Sequence, residues 1–173
     1  MKSVQEIITN NKEKFEHFQY YDLILEKIEK NASKNPDICI ESCKSLIEGI
    51  SKTILKALDN TFNEKDVNKQ NVMPIFKDAV KKLAEHDENI EEDFINRAGS
   101  LVHLFGTIRN ERGDISHGKL APKQILSTPE FSKLCVNITE GVSYYMIKSF
   151  FDIDLSYKQP LKYDDNSEFN QEL

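Results

Sequence analysis

The 173-residue chain has no tryptophan, and its six glycines and five prolines leave little material for the tight turns of a hairpin-built fold. An all-β architecture is therefore excluded as an expectation. No apolar run approaches the roughly 18 to 20 residues a membrane helix requires, which argues against a membrane partner. Residues 1–15 (MKSVQEIITNNKEKF) lack the unbroken apolar stretch and small-residue cleavage site of a secretory signal. They predict a mature start and a cytoplasmic compartment. Three cysteines, an odd number without such a signal, do not make a disulfide framework. Cys39 and Cys43 read as small core residues; their i, i+4 spacing puts two thiols on one helix face, but no nearby His or further Cys pair completes a zinc set. Neither a metal nor another cofactor is expected.

What the chain does have is apolar residues recurring every three or four positions, which predicts an all-α fold. Asn35 and Pro36 have the pattern of an N-cap followed by proline at the first helical position, and Ile40, Cys43, Ile47, Ile50, Ile54 and Leu58 then form one stripe. Before it, Phe18, Tyr21, Leu25 and Ile28 predict a first helix that starts earlier, frays around Asn10 and Asn11, and ends near Asn31–Lys34. Residues 59–71 are polar and aperiodic, hence a loop. Met73, Phe76, Val80 and Leu83 mark a third helix with Pro74 near its start. An acidic run from Glu85 to Asp93 favours a helix N-terminus, and Phe94, Ala98, Leu101, Phe105 and Ile108 carry a fourth helix to about Asn110. Thr128, Pro129 and Glu130 read as cap, first turn and dipole partner of a fifth helix, with a face of Phe131, Leu134, Ile138, Val142, Tyr145 and Ser149. Three regions follow: an N-terminal helical stretch over 1–35, a helical domain over 36–155, and an acidic tail over 156–173 suited to binding a partner.

The net charge is −6, yet all three arginines (Arg97, Arg109, Arg112) fall between positions 97 and 112. Residues 97–123 hold these and Lys119 and Lys123 against Glu111 and Asp114, a local +3 able to receive phosphate. Arginine pairing with acidic residues of neighbouring helices is the structural alternative. Within this segment, Arg109-Asn110-Glu111-Arg112-Gly113-Asp114-Ile115-Ser116-His117-Gly118 puts guanidinium forks and an imidazole at a helix end. Arginine grips phosphate oxygens bidentately, and histidine carries a proton either way near neutral pH.

The string IRNERGDISHGK, with CKSLIEGISKTIL and RAGSLVHLFGTIRN before it, resembles the abortive infection C-terminal (Abi-C) domain, a family of the HEPN superfamily of small helical bundles. The resemblance spans about residues 36–150. It implies an up-and-down bundle of four to five helices that dimerises, in a superfamily rich in metal-independent endoribonucleases. The superfamily's Arg-x4–6-His motif maps in two ways. Arg109 is separated from His117 by seven residues and Arg112 by four; the Arg-Asn dipeptide favours Arg109, the spacing Arg112. His117 would then act as base or acid, and Arg109 and Arg112 would stabilise charge on the phosphorane. Arg97, Lys119 and Lys123 would hold the RNA substrate, and a two-fold homodimer would supply the second histidine that one motif lacks. Asn110 either binds phosphate or caps the helix. Glu48 either orients Arg109 or His117 or forms an i, i+4 ladder with Lys44 and Lys52. His103 reads as a packing residue, and His17 and His86 as surface.

Two functions follow from the resemblance. One is a toxin-like endoribonuclease of bacterial anti-phage abortive infection, with any sensor or inhibitor on a separate protein. The other is a non-catalytic module that binds RNA, a nucleotide or a protein and regulates a partner.

Overall fold

Pro36 needs no partner for its missing N–H at a helix start, and the apolar stripe behind it runs unbroken for about five turns, from Ile40 to Leu58; the result is the helix around which the others pack. In a computed structural model of the chain, which describes residues 1–68, 70–91, 93, 94, 97, 100, 101, 104, 107 and 127–153, the order is α1 (Lys2–Asn10), a 3-10 helix (Glu16–Tyr21), α2 (Asp22–Asn31), α3 (Pro36–Leu58), α4 (Glu64–Val67), α5 (Val72–Ala84) and α6 (Pro129–Asp152). Residues 93, 94, 97, 100, 101, 104 and 107 are helical as well. No strand occurs among the described residues, and the chain is an all-α bundle. No helix among them is long and apolar enough to cross a membrane.

Every member of the predicted α3 stripe, from Ile40 through Leu58, is buried. The first helix is not continuous. Asn11 donates from Nδ2 to the Ile7 carbonyl (2.8 Å), the backbone turns at 11–15, and a 3-10 segment precedes α2. Aromatic burial accounts for the break: Phe15 stacks flat on Phe151 (centroids 4.1 Å apart) and Phe18 packs against Phe150 (5.7 Å), contacts that one straight helix could not aim. The 59–71 loop carries a further turn of helix, α4, whose Asn63 side chain accepts from the Lys65 N–H at 3.1 Å. Phe76, Val80 and Leu83 of α5 are buried as expected and Met73 is half-buried.

Two predicted faces are corrected. Phe94 and Leu101, expected in the core, are exposed together with Leu104; Phe94 meets the Tyr145 ring edge-on at 5.4 Å, at the rim of the bundle. Ala98, Phe105 and Ile108 lie outside the described residues. In α6 the caps fall as read, with Thr128 Oγ1 accepting from the Phe131 N–H at 3.2 Å. Its inward face, however, is Ser132, Cys135, Thr139, Ser143, Met146, Ile147 and Phe150, about one residue round the helix from the predicted one. Leu134 is 52% exposed, and Phe131, Ile138, Val142 and Tyr145 are half-buried. Small side chains let α6 lie close on α3, so packing rather than hydropathy selects the face. The tail at 156–173 lies outside the described residues.

Candidate functional site

The described backbone enters the arginine-rich segment at Thr107 and leaves it at Ser127. Arg97 sits on the exposed face of the helical residues before it, beside Leu101 and Leu104 in sequence spacing, so its guanidinium is presented outward. Arg109, Asn110, Arg112, His117, Lys119 and Lys123 lie outside the described residues, as does His103. His17 and His86 are both exposed, as expected of surface residues.

Glu48 is the motif's candidate helper on α3, and its side chain retains 29% exposure. Its Oε1 accepts from Lys52 Nζ at 2.8 Å, and the same ammonium donates to Asn68 Oδ1 at 2.8 Å. The carboxylate therefore belongs to a chain that ties the middle of α3 to the turn after α4. This is the Lys52 rung of the predicted ladder. An i, i+4 pair of this kind stabilises by about 0.3–0.5 kcal/mol, too little to make the ladder the sole reason for an acid here.

A second polar constellation lies at the start of the α3–α6 seam and was only half visible in the sequence. Cys39, Cys43 and Cys135, all the cysteines of the chain, are buried there. Ser132 lies near Cys39 and Thr139 near Cys43, so α3 and α6 run in the same direction along the seam, and both hydroxyls are buried without a hydrogen-bond partner among the described residues. The neighbouring Cys43 thiol favours the Cys39 anion and holds Cys39 down to about 7 against the opposing effect of burial, whereas Cys39 and burial together push Cys43 up. Cys135 is pushed up to about 12, chiefly by burial. The expectation that Cys39 and Cys43 are small core residues holds. Cys135 was overlooked because its neighbours on the inward face are hydroxyl residues that hydropathy does not score. No group of three or more His, Cys, Asp or Glu side chains among the described residues has an arrangement fit to hold a metal ion.

A shallow groove of about 460 Å³ runs between α1 and α6, lined in part by Glu6, Asn10, Glu140, Gly141, Tyr144 and Lys148. Glu140 is committed to structure within it: Oε1 accepts from the Ser3 N–H at 2.8 Å and Oε2 pairs with the Met1 ammonium at 3.1 Å. Lys148 is likewise paired with Asp152, one turn on. The groove is therefore a seam closed by ion pairs and has none of the acid–base pairing that a reaction centre needs.

The Abi_C family model, described as a HEPN-like domain, matches residues 19–150. No curated protein and no solved structure matches the chain.

Proposed function

The chain belongs to the Abi_C family of HEPN-like domains, and from that premise we propose that it is a metal-independent endoribonuclease, toxin-like, serving bacterial anti-phage abortive infection in the cytoplasm. The observation that carries this reading is the Arg-Asn…Gly-Asp…His-Gly string at 109–118, inside the matched span, in the segment that gathers every arginine of an acidic chain.

RNA brings its own nucleophile. One imidazole removes the 2′-hydroxyl proton, the 2′-oxygen attacks the adjacent phosphorus, and the P–O5′ bond breaks as a protonated imidazole supplies the leaving oxygen with its proton. The products are a 2′,3′-cyclic phosphate and a 5′-hydroxyl. His117 fills one of these roles, and His117 of a second copy fills the other, so the active species is a homodimer. Arg109, with Arg112 beside it, neutralises the equatorial oxygens of the phosphorane through the bidentate guanidinium fork. Asn110 adds a donor at the same phosphate, and Glu48 orients the pair from α3. Arg97, Lys119 and Lys123 attract the flanking backbone, so binding weakens steeply with salt. Sensing or inhibition falls to a separate protein.

The test is cleavage of a mixed RNA pool with EDTA present, comparing the wild type with His117→Ala. Metal-free cleavage that His117→Ala lowers by about 10²- to 10⁴-fold, with the helical signal intact, is the expected result. Cleavage that persists in the variant, or that EDTA abolishes, would leave the non-catalytic binding module as the better reading.

A further inference from the structure

The groove between α1 and α6 has no part in the chemistry above, and its floor poses a question of packing. Gly141 stands in the middle of α6, where glycine weakens a helix, yet a Cβ there would meet nothing within 4 Å. No described residue requires the glycine. What a missing side chain offers at such a place is close approach by another stretch of backbone. Gly141 is exposed, and Tyr144, nearly one turn on along the same face, is 40% exposed. The charged side chains that line the groove are Glu6, Glu140 and Asp152 against Lys148, an excess of acid. The chain leaves α6 beside this groove: Asp152 lines it, and at Ile153 the backbone passes from helical to extended, with φ −74° and ψ 129°. Beyond Ile153, Leu155, Tyr157, Leu161 and Tyr163 fall on odd positions and Ser156, Lys158 and Lys162 on even ones, the period of two that sets apolar side chains on one side of an extended segment. Pro160 suits such a backbone, because its ring fixes φ near −65° and it has no N–H to satisfy. Lys158 and Lys162 are the only charged residues between Asp154 and Asp164, and their sign is opposite to that of the groove.

We propose that residues 155–163 dock in extended form along the α1–α6 groove, antiparallel to α6, as a strap that fastens α1 to the bundle. The reach is sufficient. Asp152 and Gly141 are eleven residues apart on α6, about 17 Å along the helix, a distance that about five extended residues span. After a short reversal past Ile153, residues 159–161 come level with Gly141, so the backbone around Pro160 is the stretch that uses the missing side chain. The residues after it run on towards Leu134, which is 52% exposed on the same outward face of α6. The apolar side of the strap meets the groove, and Lys158 and Lys162 on its other side bring positive charge over an acidic lining. From Asp164 onward the sequence turns acidic, with Asp165, Glu168 and Glu172, and the same lining repels it; the strap therefore ends there. The occupant is the chain's own segment rather than that of a second copy, because a tether that begins at the rim of the groove keeps the effective concentration of the segment high.

The two lysines of the strap also supply the test. Trypsin cuts after Lys158 and Lys162 and releases fragments 159–173 and 163–173, whose initial rates of appearance are followed by mass. From the folded full chain, release should be about tenfold slower than from a synthetic 154–173 peptide, because cleavage waits for the strap to open. Two variants test where it lies. Gly141→Leu fills the floor of the groove at a position where α6 itself has room for the side chain, and Leu161→Asp alters only the strap. Each should raise release to the rate of the peptide while the helical signal of the bundle is unchanged. Release from the wild type at the rate of the peptide, or slow release that either variant leaves unchanged, overturns the proposal. Slow release that quickens on dilution overturns it in favour of the segment of a second copy. RNA cleavage does not enter this readout, so failure here is separate from failure of the nuclease reading.

Discussion

The hydroxyl of Tyr21, at the end of the 3-10 helix, shares a 2.6 Å hydrogen bond with the hydroxyl of Thr53, five turns along α3, and the tyrosine ring between them lies directly over Gly49. A Cβ at position 49 would stand 2.9 Å from Tyr21 Cε1, closer than van der Waals contact allows. The glycine is thus a packing requirement in the middle of a helix it otherwise weakens. Gly49→Ala should lower the stability of the fold by about 1–3 kcal/mol through overpacking, despite its better helix propensity. Tyr21→Phe removes only the hydroxyl and should cost about 1 kcal/mol. Urea titrations of the two variants check this order; a Gly49→Ala protein as stable as the wild type would mean the Tyr21 ring is free to move.

The inward face of α6 makes a second stability prediction. Ser143 is fully buried where α6 lies on its neighbours, whereas Leu134 is 52% exposed. Ser143→Leu adds volume to a close contact and should destabilise by about 1–3 kcal/mol although it is the more hydrophobic residue. Leu134→Ser should stay within about 0.5 kcal/mol of the wild type. The reverse ranking would restore the face that the hydropathy of the sequence suggests.

That pair of residues also shows what could be read in advance. The starts of α3 and α6 are written in Asn35-Pro36 and Thr128-Pro129, because proline tolerates only the first turn of a helix. The face of α6 is not, since Ser132, Cys135, Thr139 and Ser143 earn their positions through size, and a hydrophobicity scale ranks Leu134 above all of them. The break between α1 and α2 has no glycine or proline to announce it; it follows from Phe15 and Phe18 reaching Phe150 and Phe151, more than a hundred residues away. The Arg/His motif is legible for the opposite reason. Its chemistry is carried by residue type and local spacing, which need no tertiary information. What tertiary information adds at Glu48 is the Lys52 and Asn68 contact, and at Cys39 the proximity of Ser132 and of Cys135.

Acid should weaken the seam between α1 and α6 through Glu140. Burial opposes ionisation of this carboxyl, but the Ser3 N–H and the Met1 ammonium outweigh it and hold the group below its ordinary value of 4.5. A folded-state pKa lower than the unfolded one contributes stability that is fully present above the unfolded value and is lost as pH falls through the folded one. Glu140→Gln should therefore be less stable than the wild type by about 1–2 kcal/mol near pH 7, the lower end of what hydrogen bonds to a charged acceptor contribute, because solvent screens the group. The difference should shrink as pH falls below the ordinary carboxylate value. Thermal midpoints of both proteins between neutral and strongly acidic pH decide the matter, and a difference that does not change with pH would show that Glu140 acts through packing alone.

The choice between Arg109 and Arg112 can be made by chemistry. Both carry the same charge and lie three residues apart, so mutation to alanine at either would blur electrostatics with geometry. Lysine keeps the charge and removes the planar fork, which isolates bidentate recognition of the phosphorane. If Arg109 is the motif arginine, Arg109→Lys should lose most of its turnover number with the RNA affinity little changed, because the fork acts on charge that develops in the transition state. Arg112→Lys should then lose far less. The measurement is single-turnover cleavage of a short RNA at saturating enzyme, with binding followed separately in the His117→Ala background. A larger loss at Arg112 would transfer the role to the residue with four intervening positions before His117. Equal, small losses at both would mean that neither fork meets the reacting phosphate, and the arginines would then be left the task of pairing with Glu111 and Asp114.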